Sequence, residues 1–170
     1  GEVRSQFSLG LAYDYGRGVS EDDIKAVYWY KKAAEQGYAR AQYYLGLSYD
    51  YGTGVPEDNT EAVYWYTKSA EQGFAKAQFY LGLSYDNGIG LPEDNTKAVY
   101  WYKKSAEQGY DVAQYNIGVM YANGQGMPKD ETKAVYWYKK AAEQGHASAQ
   151  FNLALLYTEG LGVAKDDTEA

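Results

Sequence analysis

One segment of twelve residues limits what this chain can fold into. AVYWYKKAAEQG at 26–37 returns unchanged at 134–145, with AVYWYTKSAEQG at 62–73 and AVYWYKKSAEQG at 98–109 between them. The four copies begin 36 residues apart, and ten of the twelve positions never vary. A period of this length marks a stack of supersecondary units, none of which can bury its apolar face alone. The period divides the chain into full units at 3–38, 39–74, 75–110 and 111–146 and a partial unit at 147–170. We read these as one repeat domain covering 1–170.

Within a unit the apolar spacing is helical, in two segments joined by a glycine loop. In the second unit, helix A is expected over about 39–51, with Ala41, Leu45 and Tyr49 on one face. Helix B is expected over about 59–72, with Ala62, Trp65, Tyr66, Ser69 and Ala70 inward. The pairs Gly16/Gly18, Gly52/Gly54, Gly88/Gly90, Gly124/Gly126 and Gly160/Gly162 break helix A. Asp22, Asp58, Asp94, Asp130 and Asp166 follow them, each placed to cap helix B and complement its dipole. Gly37, Gly73, Gly109 and Gly145 then close helix B, as left-handed residues beyond a helix do. Small residues at Gly10, Gly46, Gly82 and Gly118, and at Ala26, Ala62, Ala98 and Ala134, should let helices approach closely. The expected fold is all-α: helix hairpins stacked into a right-handed superhelical solenoid.

The pattern A-x-A-Q-[YF]-x-[LI]-G…Y…G-x-G…D…A-x-x-W-Y-x-K-[AS]-A-E-Q-G resembles the Sel1-like repeat, a relative of the tetratricopeptide repeat with a longer inter-helix loop. It is carried by Ala41, Gln42, Tyr43, Leu45, Gly46, Tyr49, Gly52, Gly54, Asp58, Ala62, Trp65, Tyr66, Lys68, Ala70 and Gly73 and their equivalents at steps of 36. The resemblance covers essentially the whole chain. It implies an α-solenoid scaffold or adaptor for protein–protein interaction, with helix A lining the concave side and helix B the convex side. The chain has no cysteine, unlike the bacterial branch of this family that carries a disulfide in each repeat.

Composition points away from other functions. A net charge of −7 disfavours nucleic acid and anionic membrane surfaces as partners. No run approaches the roughly 18 apolar residues of a membrane span. The opening GEVRSQFSLG has no apolar leader core and lies almost inside the first repeat, so the sequence leaves the compartment open. With no cysteine and one histidine, His146, neither a nucleophile–base set nor a transition-metal site can be assembled. No cofactor is expected. The G-x-G pairs lack a third glycine, follow a helix and recur five times, which is turn chemistry rather than phosphate binding. The acidic residues follow the repeat period, whereas an active site would break it once. His146 shares a column with Tyr38, Phe74 and Tyr110, so packing is its expected role. The chain reads as non-enzymatic.

Surface is what remains. Helix-A columns 40, 43, 44, 47, 50 and 51 form one stripe. Columns 43 and 47 stay aromatic or aliphatic, as half-buried lining would; the others drift between copies. Column 44 reads Ser8, Tyr44, Tyr80, Asn116, Asn152, and column 50 reads Asp14, Asp50, Asp86, Ala122, Thr158. The candidate partner contacts are Asp14, Tyr15, Tyr43, Tyr44, Asp50, Tyr51, Phe79, Tyr80, Asp86, Asn87, Asn116 and Asn123. Aromatic contact area beside a repeating carboxylate suits a protein or peptide partner carrying Lys or Arg. A second candidate face is the helix-B column Tyr28, Tyr64, Tyr100 and Tyr136. The last helix A, about 147–159, precedes no complete helix B, so the alternative is a structural module, stacking head to tail or lying within a longer array.

Overall fold

The computed structural model describes residues 1–161. Among them are nine α-helices and no strand: α1 (Glu2–Asp14), α2 (Asp23–Glu35), α3 (Ala39–Tyr51), α4 (Asn59–Glu71), α5 (Ala75–Asn87), α6 (Asn95–Glu107), α7 (Asp111–Asn123), α8 (Glu131–Glu143) and α9 (Ala147–Thr158). Odd-numbered helices are the A helices and even-numbered ones the B helices. The helices fall in two compact units, Gly1–Glu93 with α1 to α5 and Asp94 onward with α6 to α9.

Local chemistry sets each boundary. The Asp22 side chain accepts from the Lys25 amide at 3.0 Å, Asp58 from Thr60 and Glu61, Asp94 from Lys97 and Asp130 from Lys133. Each carboxylate thus satisfies orphan amides in the first turn of a B helix. The expected cap Asp166 and loop residue Gly162 lie outside the described residues. At the other end of helix B, Gly73 has a φ of +89°, where only glycine is unstrained.

The carbonyls at the end of helix B meet a partner from the next helix A. Gln42 donates from Nε2 to the Ala34 carbonyl at 3.1 Å, as Gln78 does to Ala70, Gln114 to Ala106 and Gln150 to Ala142. Gln72 in turn donates to Gln42 Oε1, and Gln144 to Gln114 Oε1. The sequence pattern contains Gln42 but gives no role for it. The structure makes it the hydrogen bond that joins successive hairpins, and a buried glutamine left without that bond would cost about 1–3 kcal/mol.

In the first unit the core gathers Phe7, Ala26, Val27, Tyr30, Ala33, Ala34, Ala41, Leu45 and Trp65. The predicted inward face of α4, Ala62, Trp65, Tyr66, Ser69 and Ala70, is buried in full. Close approach is real where the small residues stand. A Cβ on Gly46 would sit 2.6 Å from the Tyr66 ring, and one on Gly10 equally near Tyr30. In the second unit a Cβ on Gly118 would lie 2.7 Å from Tyr138, around a core of Ala134, Tyr138, Ala141 and Ala149. The loop glycines do more than end a helix. Gly54, at φ +72°, lies against the Asp23 carbonyl of the preceding helix B, where a Cβ would overlap the backbone. Gly90 stands likewise on Asn59, and Gly126 on Asn95.

Candidate functional site

The Asp column carries a bond that its sequence pattern did not reveal. Tyr30 donates its hydroxyl to Asp14 Oδ2 at 2.7 Å, and Tyr66 donates to Asp50 Oδ2 at 2.9 Å. Burial raises the Tyr30 hydroxyl far above the ordinary tyrosine range, and the hydrogen bond and charge of Asp14 add to it. Tyr66 is raised for the same reasons, with burial first and the Asp50 charge next. Both are therefore neutral donors at any physiological pH. Asp14 and Asp50 are half-buried and partly committed to holding helix A against helix B.

Around Asp14 the first unit forms an open concavity of about 140 Å³. Its walls are Asp14, Tyr15, Tyr30, Tyr44, Leu47, Ser48, Tyr51 and Thr53. Tyr15 and Tyr51 expose 52% and 65% of their surface. Burial, followed by the neighbouring Tyr44 hydroxyl, raises the pKa of Tyr15. Tyr44 is half-buried among the rings of Phe7, Tyr30 and Tyr43, with centroids 5.3–5.4 Å away. Arg17, at the start of the loop, lays its guanidinium 5.1 Å from the centre of the Tyr15 ring.

The same place three repeats later, in the second unit, is lined by Ala122, Asn123, Tyr138, Asn152, Leu155 and Leu156. The tyrosine is kept and the acid is gone. Burial raises the Tyr138 hydroxyl, and a hydrogen bond with the Asn152 side chain partly offsets that rise. Where Asp is replaced by Ala122, the side chain of Asn152, from the next helix A, stands beside this hydroxyl.

The predicted contacts thus separate into three groups. Asp14, Tyr15, Tyr44 and Tyr51 come together at one concavity. Asp50, Tyr80 and Asn87 stand at the equivalent positions one hairpin on and Asp86 two hairpins on, with Tyr80 packed against Tyr66 and Tyr43 at 5.2 and 5.6 Å. Asn116 is half-buried and Asn123 exposed in the second unit. Tyr43 and Phe79, at 6% and 7% exposure, are core residues rather than half-buried lining. They carry the rings of Tyr44 and Tyr80 from beneath. Sequence reasoning missed Tyr30, Ser48 and Thr53. Tyr30 sits inside the invariant twelve and so reads as scaffold; the recurring 16-residue interval of Asp14–Tyr30 and Asp50–Tyr66 was the available signal.

The helix-B column is partly exposed. Tyr28, Tyr64, Tyr100 and Tyr136 each stand edge-on to the neighbouring tryptophan at about 5 Å. Lys32, Lys68, Lys104 and Lys140 cover their faces. In the first unit an open hollow of about 330 Å³ lies beside Glu35, Tyr64, Trp65 and Lys68. His146 packs as expected: it stacks on Tyr115 at 4.7 Å, and its Nδ1 accepts from the Ala149 amide. Among the described residues no cluster of three metal-binding side chains occurs, and no helix is long and apolar enough to cross a membrane.

The Sel1 repeat model matches residues 3–38, 39–74, 75–110, 111–146 and 147–170. Among solved structures, the chain is 42% identical to a protective antigen present in uropathogenic Escherichia coli strains displaying an SLR fold, with a TM-score of 0.93. The match covers 98% of this chain but only 36% of that one. A Sel1 repeat protein from Oxalobacter formigenes is 43% identical at a TM-score of 0.90, covering 96% of this chain and 68% of that one. Cysteine rich protein B of Helicobacter pylori is 25% identical at 0.62, covering 78% and 96%. No match was found among the curated proteins. The all-α solenoid class expected from the period is the one these structures share. With all five repeats matched, the chain belongs to the Sel1 repeat family, whose members generally mediate protein–protein interactions and are typically non-catalytic.

Proposed function

We propose that the chain is a non-enzymatic scaffold that binds a protein or peptide partner on its helix-A surface, and that the partner's segment is basic. The observation that carries this reading is the group of half-exposed Tyr15 and Tyr51 around Asp14, beside a concavity. Tyrosines give contact area at small entropic cost, and an acidic surface speeds the approach of a cationic segment. Asp50, Tyr80, Asp86 and Asn87 extend the same chemistry within the first unit, with Tyr43 and Phe79 as supports. Asn116 and Asn123 would meet a more neutral part of the partner.

The test is selection from a random peptide library on the immobilised chain, followed by binding kinetics on variants. Selected peptides should be enriched in Lys and Arg. Asp50→Asn with Asp86→Asn should slow association and flatten its salt dependence, because a half-buried carboxylate at the surface still steers the encounter. Tyr15→Ala with Tyr51→Ala should speed dissociation. These two are cleaner probes than Tyr44 or Tyr80, whose rings also pack the core. Peptides that bind both double variants as well as wild type would move the site to the Tyr28–Tyr136 face.

A second reading, end-to-end stacking or membership of a longer array, is favoured by α9, where Phe151 is 70% exposed and Leu155 and Tyr157 about half so. Sedimentation over a hundredfold concentration range should then show association; a strict monomer throughout would contradict stacking.

A further inference from the structure

We infer that the concavity at Asp14 is a receptor for one alkylammonium group, the end of a partner's lysine side chain, and that Arg17 is its intramolecular competitor. This rests on the helix-A reading above and names the group that the surface selects.

The argument starts with the carboxylate. Asp14 has given Oδ2 to the Tyr30 hydroxyl at 2.7 Å, which leaves Oδ1 as its uncommitted oxygen. A guanidinium fork is best met by both oxygens of a carboxylate, whereas an ammonium is a point charge that one oxygen satisfies. The walls favour a cation as well. Tyr15, Tyr44 and Tyr51 line the same concavity, and ring faces attract a positive group within about 6 Å. Leu47 supplies an apolar surface for the methylene stem.

The chain itself supplies a second observation. Arg17 lies 5.1 Å from the Tyr15 ring centre, so a cation already occupies one face of this wall. The equivalent loop residues are Thr53, Ile89, Gln125 and Leu161, so only the first repeat carries this cation. A planar guanidinium over the Tyr15 ring competes with an incoming guanidinium for stacking and repels any incoming positive charge. The equivalent place in the second unit has Ala122, Asn123 and Leu156 for Asp14, Tyr15 and Ser48. None of its lining residues is a carboxylate, and Glu159, at the position of Tyr51, is not among them, so this hollow should take a cation less well than the one at Asp14.

Three probes titrated against the full chain, with ¹⁵N and aromatic NMR shifts as the readout, test this. They are N-acetyl-lysine amide, N-acetyl-arginine amide and N-acetyl-norleucine amide. The lysine amide should shift Tyr15, Tyr44 and Tyr51 and bind roughly threefold or more tighter than the other two. Asp14→Asn, which keeps an acceptor for Tyr30, should abolish that preference. Arg17→Ala should tighten the lysine amide roughly two- to fivefold, while Lys32→Ala, on helix B, should leave it unchanged. Equal shifts from lysine and norleucine amides would overturn the inference, as would an Arg17→Ala effect no larger than that of Lys32→Ala. If library peptides bind the helix-A face while the lysine amide does not, this pocket assignment fails and the broader reading stands. If those peptides ignore the helix-A variants, the broader reading fails too.

Discussion

The hollow at Asp14 and the hollow at Ala122 occupy the same place in two hairpins, yet their chemistry has parted. In the first, the buried tyrosine donates to a carboxylate, and two further tyrosines stand open to solvent. In the second, the carboxylate and those tyrosines are absent, the tyrosine hydroxyl meets Asn152, and Leu155 and Leu156 make the wall apolar. The lesson is that the repeat fixes the tyrosine and not its partner. A neutral amide can satisfy the hydroxyl, so packing alone does not demand an acid at position 14. The acids retained at 14 and 50 are thus open to a second role, which is the basis for placing recognition in the first unit.

The largest expected effect probes what the two places share. Gly10→Val and Gly118→Val each push a side chain into the ring of Tyr30 or Tyr138, less than 3 Å away. Both should lose about 1–3 kcal/mol or more to overpacking, read as a fall in the urea midpoint. Marked inequality between them would break the premise that the tyrosine is seated alike in both units.

Next come the hydroxyls. Tyr30→Phe removes a bond to a charged group and should cost about 1.5–3 kcal/mol, whereas Tyr138→Phe removes a neutral one and should cost about 0.5–1.5 kcal/mol. Thermal melts of the two variants decide it, and a reversed order would mean that the Asp14 bond contributes less than its length suggests.

Alkaline titration sharpens the same contrast. The folded-state pKa of Tyr30 and Tyr66 is raised above the unfolded value of 10.0, so the unfolded chain releases these protons first. Their contribution is complete below pH 10 and is lost as the pH rises beyond it. Urea midpoints from pH 8 to 11 should fall above pH 10, and less steeply in Tyr30→Phe.

The smallest effect lies at the caps flanking both places. The side-chain and backbone hydrogen bonds from Lys25 hold the Asp22 carboxyl below 3.8, and those from Lys133, the backbone one first, do so for Asp130. A depressed carboxylate stabilises above its unfolded value and loses that contribution as the pH falls through the folded one. Stability should therefore drop below about pH 4, slightly less in Asp22→Asn and Asp130→Asn alike, with the difference shrinking in salt. Unequal changes would show that the two B helices are capped differently.

The scaffold was legible because it recurs. The helix α3 predicted at 39–51 is found there, and the Asp caps and the closing Gly73 act as their positions imply. The pattern could not show where its own side chains meet. Asp14 and Tyr30 belong to different helices, and their bond depends on how a hairpin closes rather than on either helix's face. For the same reason column 43 read as lining, when Tyr43 and Phe79 point into the core beneath Tyr44 and Tyr80. Arg17 is a single departure in one loop, and nothing in a repeat average draws notice to it.

The most direct test of the account exchanges the two places. One chain carries Asp14→Ala and Tyr15→Asn, giving the first hollow the second's residues; another carries Ala122→Asp and Asn123→Tyr. Each is titrated by NMR with a lysine-containing peptide selected on the wild type. The account predicts that the first chain loses binding, and that the second keeps it and gains new shifts around Tyr138. Undiminished binding by the first chain, with its fold intact by circular dichroism, would contradict it.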